Sequence, residues 1–209
     1  MNTEPAAGAA PQRIRDPARR ERILAAAAKL IGERGYHAVG LADIGAAAGI
    51  VGSGIYRHFD SKIAVLVALL DRVMERLLHA TDRIVHEAPD DEAAMAALVR
   101  DHIDFALDER LLIQLYQREL LALPDEDRRR LIRVQRLYVE EWVHVLTGLR
   151  PGLPDSHARS LAHAAIGAIQ SVVWFTSGLP RTEMTELLKR AAFGCLGLPL
   201  PDDRPPSSD

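Results

Sequence analysis

A single cysteine, Cys195, among 209 residues excludes both a disulfide framework and a cysteine-only zinc site, and fits a reducing compartment. Aromatic residues are scarce as well, at 5%. No apolar run approaches the roughly 20 residues that span a bilayer. The opening segment MNTEPAAGAAPQRIRD carries no apolar block of the secretory kind, so a soluble, cytoplasmic protein with no membrane partner is expected. Strand-like alternation is missing too. What the chain has in quantity is Ala and Leu, which lose little on entering a helix. With 48% hydrophobic and 26% charged residues it can bury a core, which argues against global disorder. The expected fold class is all-α.

Signatures of catalysis are also lacking. No Ser-His-Asp arrangement, phosphate loop or zinc spacing occurs, and the eight histidines include no His-Glu-x-x-His pair. Gly52-Ser53-Gly54 follows no strand and so makes no nucleophile elbow. Glu140 and Glu141, adjacent on a helix, point to different faces. The expectation is no enzyme, no metal and no cofactor.

Net charge is −3, but unevenly spread. Residues 1–62 hold nine Lys/Arg against six Asp/Glu, and the remainder holds 17 against 23. A basic front on an acidic body suits a nucleic-acid reader joined to another module, although so small an excess also arises by chance.

Punctuation divides the chain into a disordered arm over 1–15 carrying Arg13 and Arg15, a first domain over 16–62, a second over 63–198 and a polar tail over 199–209. Asp16-Pro17 reads as a helix start, Ile23, Ala27, Leu30 and Ile31 as its buried stripe, and Gly35 as its end. Short helices are expected over Leu41 to Ala48 and Gly52 to His58. A long one capped by Ser61 runs to Glu87, about 40 Å, enough to connect two modules. Further helices are expected over Glu92–Leu107, Arg110–Leu123, Asp125–Leu149, Asp155–Ser177 and Thr182–Leu196, separated by Pro and Gly combinations.

The two short helices make a candidate helix-turn-helix. Ala46 to Ala48 are small enough for a close crossing, and Gly49 suits a left-handed turn residue. Ile44, Ile50, Ile55 and Phe59 are spaced to pin both helices to the first. Ser53, Gly54, Arg57 and His58 are then left pointing outward. A helix start rich in small residues can bring backbone N–H groups against phosphate, with Tyr and Lys side chains holding neighbouring oxygens. A plain helical corner explains the same pattern equally well.

The stretch from Arg22 to Leu69 decides between them, because it resembles the DNA-binding domain of the TetR family of transcriptional regulators. The resemblance lies in the ERGY end of the first helix, the LADIGAAAG turn and the IYRHFDSK segment. It implies an N-terminal three-helix DNA-binding domain with a helix-turn-helix, followed by a C-terminal helical ligand-binding and dimerisation domain. It further implies a homodimer through the last two long helices. Two recognition helices would then enter successive major grooves of a palindromic double-stranded operator, about one turn (~34 Å) apart. Gly52, Ser53 and Gly54 fall at the start of the recognition helix. Arg57 falls on a variable base or phosphate contact, and Tyr56, His58 and Lys62 on phosphate-binding positions. Two positions depart from the family pattern: Gly40 stands where a Thr or Ser cap is common, and Ala42 where an Arg is common. Base reading then falls more heavily on Arg57 and on the Arg13/Arg15 arm.

Seven aromatics follow the long helix: Phe105, Tyr116, Tyr138, Trp142, Trp174, Phe175 and Phe193. Each taken singly is ordinary core. Together they occupy successive helices that the resemblance places around a cavity for a small-molecule effector. His102, Phe105, Tyr116, Glu119, Tyr138, Trp142, Gln170 and Trp174 are the candidate ligand-binding residues, with Gln114 a further polar anchor; such a lining suits an apolar or amphipathic ligand. The Tyr116–Leu146 run is similar in style to actinobacterial TetR-type regulators tied to fatty-acid, acyl-CoA or sterol metabolism. Arg128, Arg129, Arg130, Arg133 and Arg136 in that run could meet a CoA phosphate, but read more simply as a solvated face. The expected function is a repressor released by such an effector, acyl-CoA or lipid-like molecules included. The alternative is a helical small-molecule-binding protein without specific DNA binding.

Overall fold

The computed structural model describes residues 17–50 and 52–201. The arm with Arg13 and Arg15, the Asp16 cap and tail residues 202–209 lie outside the described residues, as does Val51. The described residues form eight α-helices and three short 3₁₀ segments, with no strand among them. The chain divides into two compact units, Met1–Lys62 and Ile63–Asp209.

In the first unit, α1 (Pro17–Arg34) and α2 (Leu41–Ala47) precede a 3₁₀ turn over Gly52–Arg57. Ile23, Ala27, Leu30 and Ile31 bury one face of α1, as their spacing requires. Ile44, Ile55 and Phe59 are buried with them, while Ile50 stays partly exposed. The Arg20 guanidinium lies 4.7 Å from the centre of the Phe59 ring. The third element, expected as a short helix over Gly52 to His58, winds as a 3₁₀ turn over Gly52–Arg57.

The second unit is built from α3 (Lys62–Glu87) beyond its first residue, α4 (Asp91–Asp108), α5 (Arg110–Glu119), α6 (Asp125–Leu149), α7 (Asp155–Gln170) and α8 (Arg181–Leu196). Their starts follow from local chemistry. Asp90 accepts a hydrogen bond from the Ala93 N–H at 2.8 Å and caps α4. Pro124, Pro154 and Pro180 stand just ahead of α6, α7 and α8, where a missing N–H costs nothing, and their carbonyls take the first helical bonds. Asp125, Glu126 and Asp127 place negative charge at the N-terminus of α6, favourable to the helix dipole. Ala158, Ala162 and Ala165 give α7 a buried face of small residues, and α8 packs along it with Leu188, Ala192, Phe193 and Leu196.

One boundary differs from expectation. The helix predicted over Asp155–Ser177 stops at Gln170, followed by a 3₁₀ turn over Ser171–Trp174 and extended chain. Side chains from α5 take the carbonyls there. Arg110 donates to Val172 and Phe175, and the Gln114 amide donates to Val173. Gln114, expected as a ligand anchor, is thus engaged with backbone. The arginines of α6 are largely paired: Arg128 with Asp125 at 2.6 Å, and Arg130 with both Asp127 and Asp71.

Candidate nucleic-acid interface and ligand cavity

The turn between α2 and the 3₁₀ segment is fixed by backbone bonds. Gly49 adopts φ 70°, the left-handed conformation expected of it. Its N–H meets the Ala46 carbonyl at 3.0 Å, and the Ile50 N–H reaches back to Gly45 at 2.8 Å, closing α2 with a Schellman pattern. The close crossing falls on Gly45 rather than on the alanines that follow it. A Cβ at Gly45 would stand 3.3 Å from the Ile55 Cβ, whereas Ala46 and Ala47 are exposed. With a side chain at position 45, Ile55 would have to give way by a few tenths of an ångström.

That crossing determines what faces outward. Gly52, Ser53, Tyr56 and Arg57 are exposed, Tyr56 at 55%; Gly54 and His58 are partly covered. Lys62 is also partly covered. Its ammonium donates to the Tyr36 carbonyl at 3.1 Å and sits 4.4 Å from the centre of that ring, so its head is held on the protein. At the start of α2, the Gly40 N–H donates to Asp43 Oδ2 at 2.8 Å. Neither Gly40 nor Ala42 offers a polar side chain there.

In the second unit a cavity of about 150 Å³ lies among α3, α4, α5, α6 and α7. Five of the eight residues singled out from sequence line it: His102, Phe105, Tyr116, Tyr138 and Gln170. The other three do not. Trp142 is fully buried behind the lining, edge-on to His102 with ring centres 6.0 Å apart. Glu119 is buried outside the lining. Trp174, on the turn that follows the early end of α7, is 52% exposed, with the Arg118 guanidinium over its ring.

Sequence reasoning missed Gln117, Gln135 and His163, and it took the long α3 only as a connector, although Val73, Met74 and Leu77 line the cavity. Helical spacing could have found the first group. Gln117 follows Ile113 by four positions, Gln135 precedes Tyr138 by three, and His163 precedes Ile166 by three, so each shares a face with a lining residue.

Four polar groups of the cavity form a chain of hydrogen bonds, and two more form a pair. His102 Nδ1 lies 2.8 Å from the Tyr138 hydroxyl and its Nε2 lies 3.2 Å from Gln170 Nε2. Gln117 donates to Gln170 at 3.0 Å, and the Tyr116 hydroxyl donates to Gln135 at 3.1 Å. Burial, reinforced by the Arg76 charge, pushes the His102 imidazole down to about 3, so it is neutral at physiological pH. Burial likewise raises the Tyr138 phenol and pushes Tyr116 up to about 12. These groups supply hydrogen bonds without charge. Among the described residues, no group of three His, Cys, Asp or Glu is placed to hold a metal ion. No described helix is long and apolar enough to cross a membrane.

Residues 23–69 match the bacterial regulatory proteins of the tetR family, and residues 88–186 match a tetracycline repressor-like C-terminal domain. The HTH-type transcriptional repressor KstR2 of Rhodococcus jostii is 32% identical over 143 residues, covering 68% of this chain and 69% of that protein. The HTH-type transcriptional activator FasR of Mycolicibacterium smegmatis is 32% identical over 87 residues, a segment that spans 42% of this chain but only 40% of that protein. Among solved structures, AibR in complex with isovaleryl coenzyme A and operator DNA shares the fold with a TM-score of 0.70 at 20% identity, over 88% of this chain and 98% of that one. An exposed helix-turn-helix in the first unit, a helical second unit and these matches agree: the chain belongs to the TetR family of transcriptional regulators.

Proposed function

We propose that this regulator is a repressor that binds a palindromic operator as a homodimer and is released by an apolar or amphipathic small molecule. The observation that carries the reading is the pairing, in one chain, of an outward-facing Ser53, Tyr56 and Arg57 with a cavity in the other unit lined by apolar and polar side chains in equal number. Residues 16–62 act as the DNA-binding domain. Arg57 reads a base edge or phosphate, Gly52, Ser53 and Gly54 bring backbone N–H groups to the phosphates, and Tyr56, His58 and Lys62 hold the backbone, Lys62 with the N–H donors its bond to the Tyr36 carbonyl leaves over. With no polar side chain at Gly40 or Ala42, more of the affinity rests on these residues.

Residues 63–198 bind the effector and form the dimer. The dimer reading is supported by the outer face of α7 and α8, where Ala164, Gly167, Leu187, Ala191 and Gly194 are exposed, a surface small and apolar enough for two copies to pack closely. The effector reading is supported by the cavity, and AibR, which shares the fold, was solved with isovaleryl coenzyme A. The test is a gel shift with the intergenic DNA beside the protein's own gene, against random DNA at the same salt. A preference of at least ~10³-fold is expected. Equal affinity for both would leave a ligand-binding protein without operator recognition.

A further inference from the structure

The direction of the hydrogen bonds in the cavity narrows the chemistry of the effector. Gln117 Nε2 donates to Gln170 Oε1, which leaves Gln170 Nε2 to donate to His102 Nε2. A neutral imidazole that accepts at Nε2 carries its proton on Nδ1. Nδ1 lies 2.8 Å from the Tyr138 oxygen, so that oxygen accepts, and the phenolic proton has no protein acceptor among the described residues. Tyr138 lines the cavity. Leaving a buried O–H unbonded is costly, and an acceptor brought by the ligand removes that cost.

The lining also says what the ligand lacks. It contains no Lys or Arg, and of its two histidines the buried His102 is neutral while His163 is exposed. Arg76, whose charge acts on His102, stacks on the Phe105 ring and pairs with Asp101 at 3.6 Å, outside the lining. A carboxylate beside Tyr138 and His102 would be stripped of water with no Lys or Arg to meet it. The volume matches cavities that enclose a ring of benzene size.

We propose that the cavity takes the uncharged, mostly apolar part of a molecule bearing one carbonyl oxygen, which accepts a hydrogen bond from the Tyr138 hydroxyl. Tyr138 is the contact, while Gln117, Gln170 and His102 are positioning residues that set its proton toward the ligand. This rests on the reading of the second unit as an effector domain.

The experiment is calorimetric titration of the full chain at pH 8 with three probes of similar size: acetophenone, ethylbenzene and benzoate. Acetophenone should bind roughly 10-fold tighter than ethylbenzene, the worth of one hydrogen bond, and benzoate should give no binding heat. Tyr138→Phe should bring acetophenone to the level of ethylbenzene and leave ethylbenzene unchanged. The ranking on the unmodified protein decides the matter even where the variant does not fold. Equal binding of ketone and hydrocarbon overturns the proposal, as does tightest binding of benzoate or no binding of any probe. Operator titration of the same preparation separates the two readings. Specific DNA binding with an adverse probe ranking sinks only the carbonyl assignment, whereas loss of operator preference sinks the regulator reading whatever the probes do.

Discussion

His102 has no exposed surface and sits among Phe105, Tyr138 and Trp142, where an imidazolium would have to give up its hydration without a carboxylate partner. Its pKa falls from 6.5 to about 3 on folding. The unfolded chain therefore binds a proton that the folded chain refuses. Stability tied to the neutral ring is complete above about pH 6.5 and is lost as the pH falls toward 3, by about 1.4 kcal/mol per pH unit. Thermal melts across that window should show a steep loss in the wild type and a flatter one in His102→Gln; parallel slopes would mean the ring is not what acid attacks. At the other end of the chain, the exposed Arg57 extends from a short element held by buried Ile55. Arg57→Ala should weaken operator binding by ~1–3 kcal/mol at fixed salt. An unchanged affinity would remove it from the interface.

Among the elements, the end of α7 is set from outside itself. Its sequence continues apolar through Val172, Val173, Trp174 and Phe175, a pattern that reads as more helix. Arg110 and Gln114, some sixty positions earlier, occupy the carbonyls of Val172, Val173 and Phe175. Removing the arginine leaves the part-buried Val172 carbonyl unmatched at a cost of about 1 kcal/mol, while water can replace it at the exposed Phe175 carbonyl. Arg110→Met should speed amide exchange across residues 171–180 while α1 and α2 keep their protection, as hydrogen-exchange mass spectrometry would report. Unchanged exchange in that segment would show that the turn holds without it. The contrast with α2 is instructive. That helix ends on its own Gly49, by a local bond pattern legible in the residues alone.

On the scale of the molecule, the exposed face of α7 and α8 is the surface whose covering has a measurable consequence. The homodimer reading predicts a mass in sedimentation of twice the 23.0 kDa chain. Leu187 is 51% exposed in the single chain, and Leu187→Asp should shift the equilibrium toward monomer by burying a charge in the interface. A wild-type monomer at micromolar concentration would place the two operator contacts, and the twofold with them, out of reach.

The sequence by itself determined the helical class, the buried stripe of α1, the left-handed turn at Gly49 and the family, because each is written in residues close together in the chain. It also named Phe105, Tyr116 and Tyr138, whose helices carry them inward. Only the tertiary structure decided that Trp142 stands behind the cavity, that Trp174 faces out, that Gly45 rather than Ala46 takes the close crossing and that α3 contributes to the lining. Periodicity fixes a side chain's angle around its own helix. The rotation of that helix against its neighbours, and the point where a distant guanidinium cuts it short, are settled by packing between segments far apart in sequence.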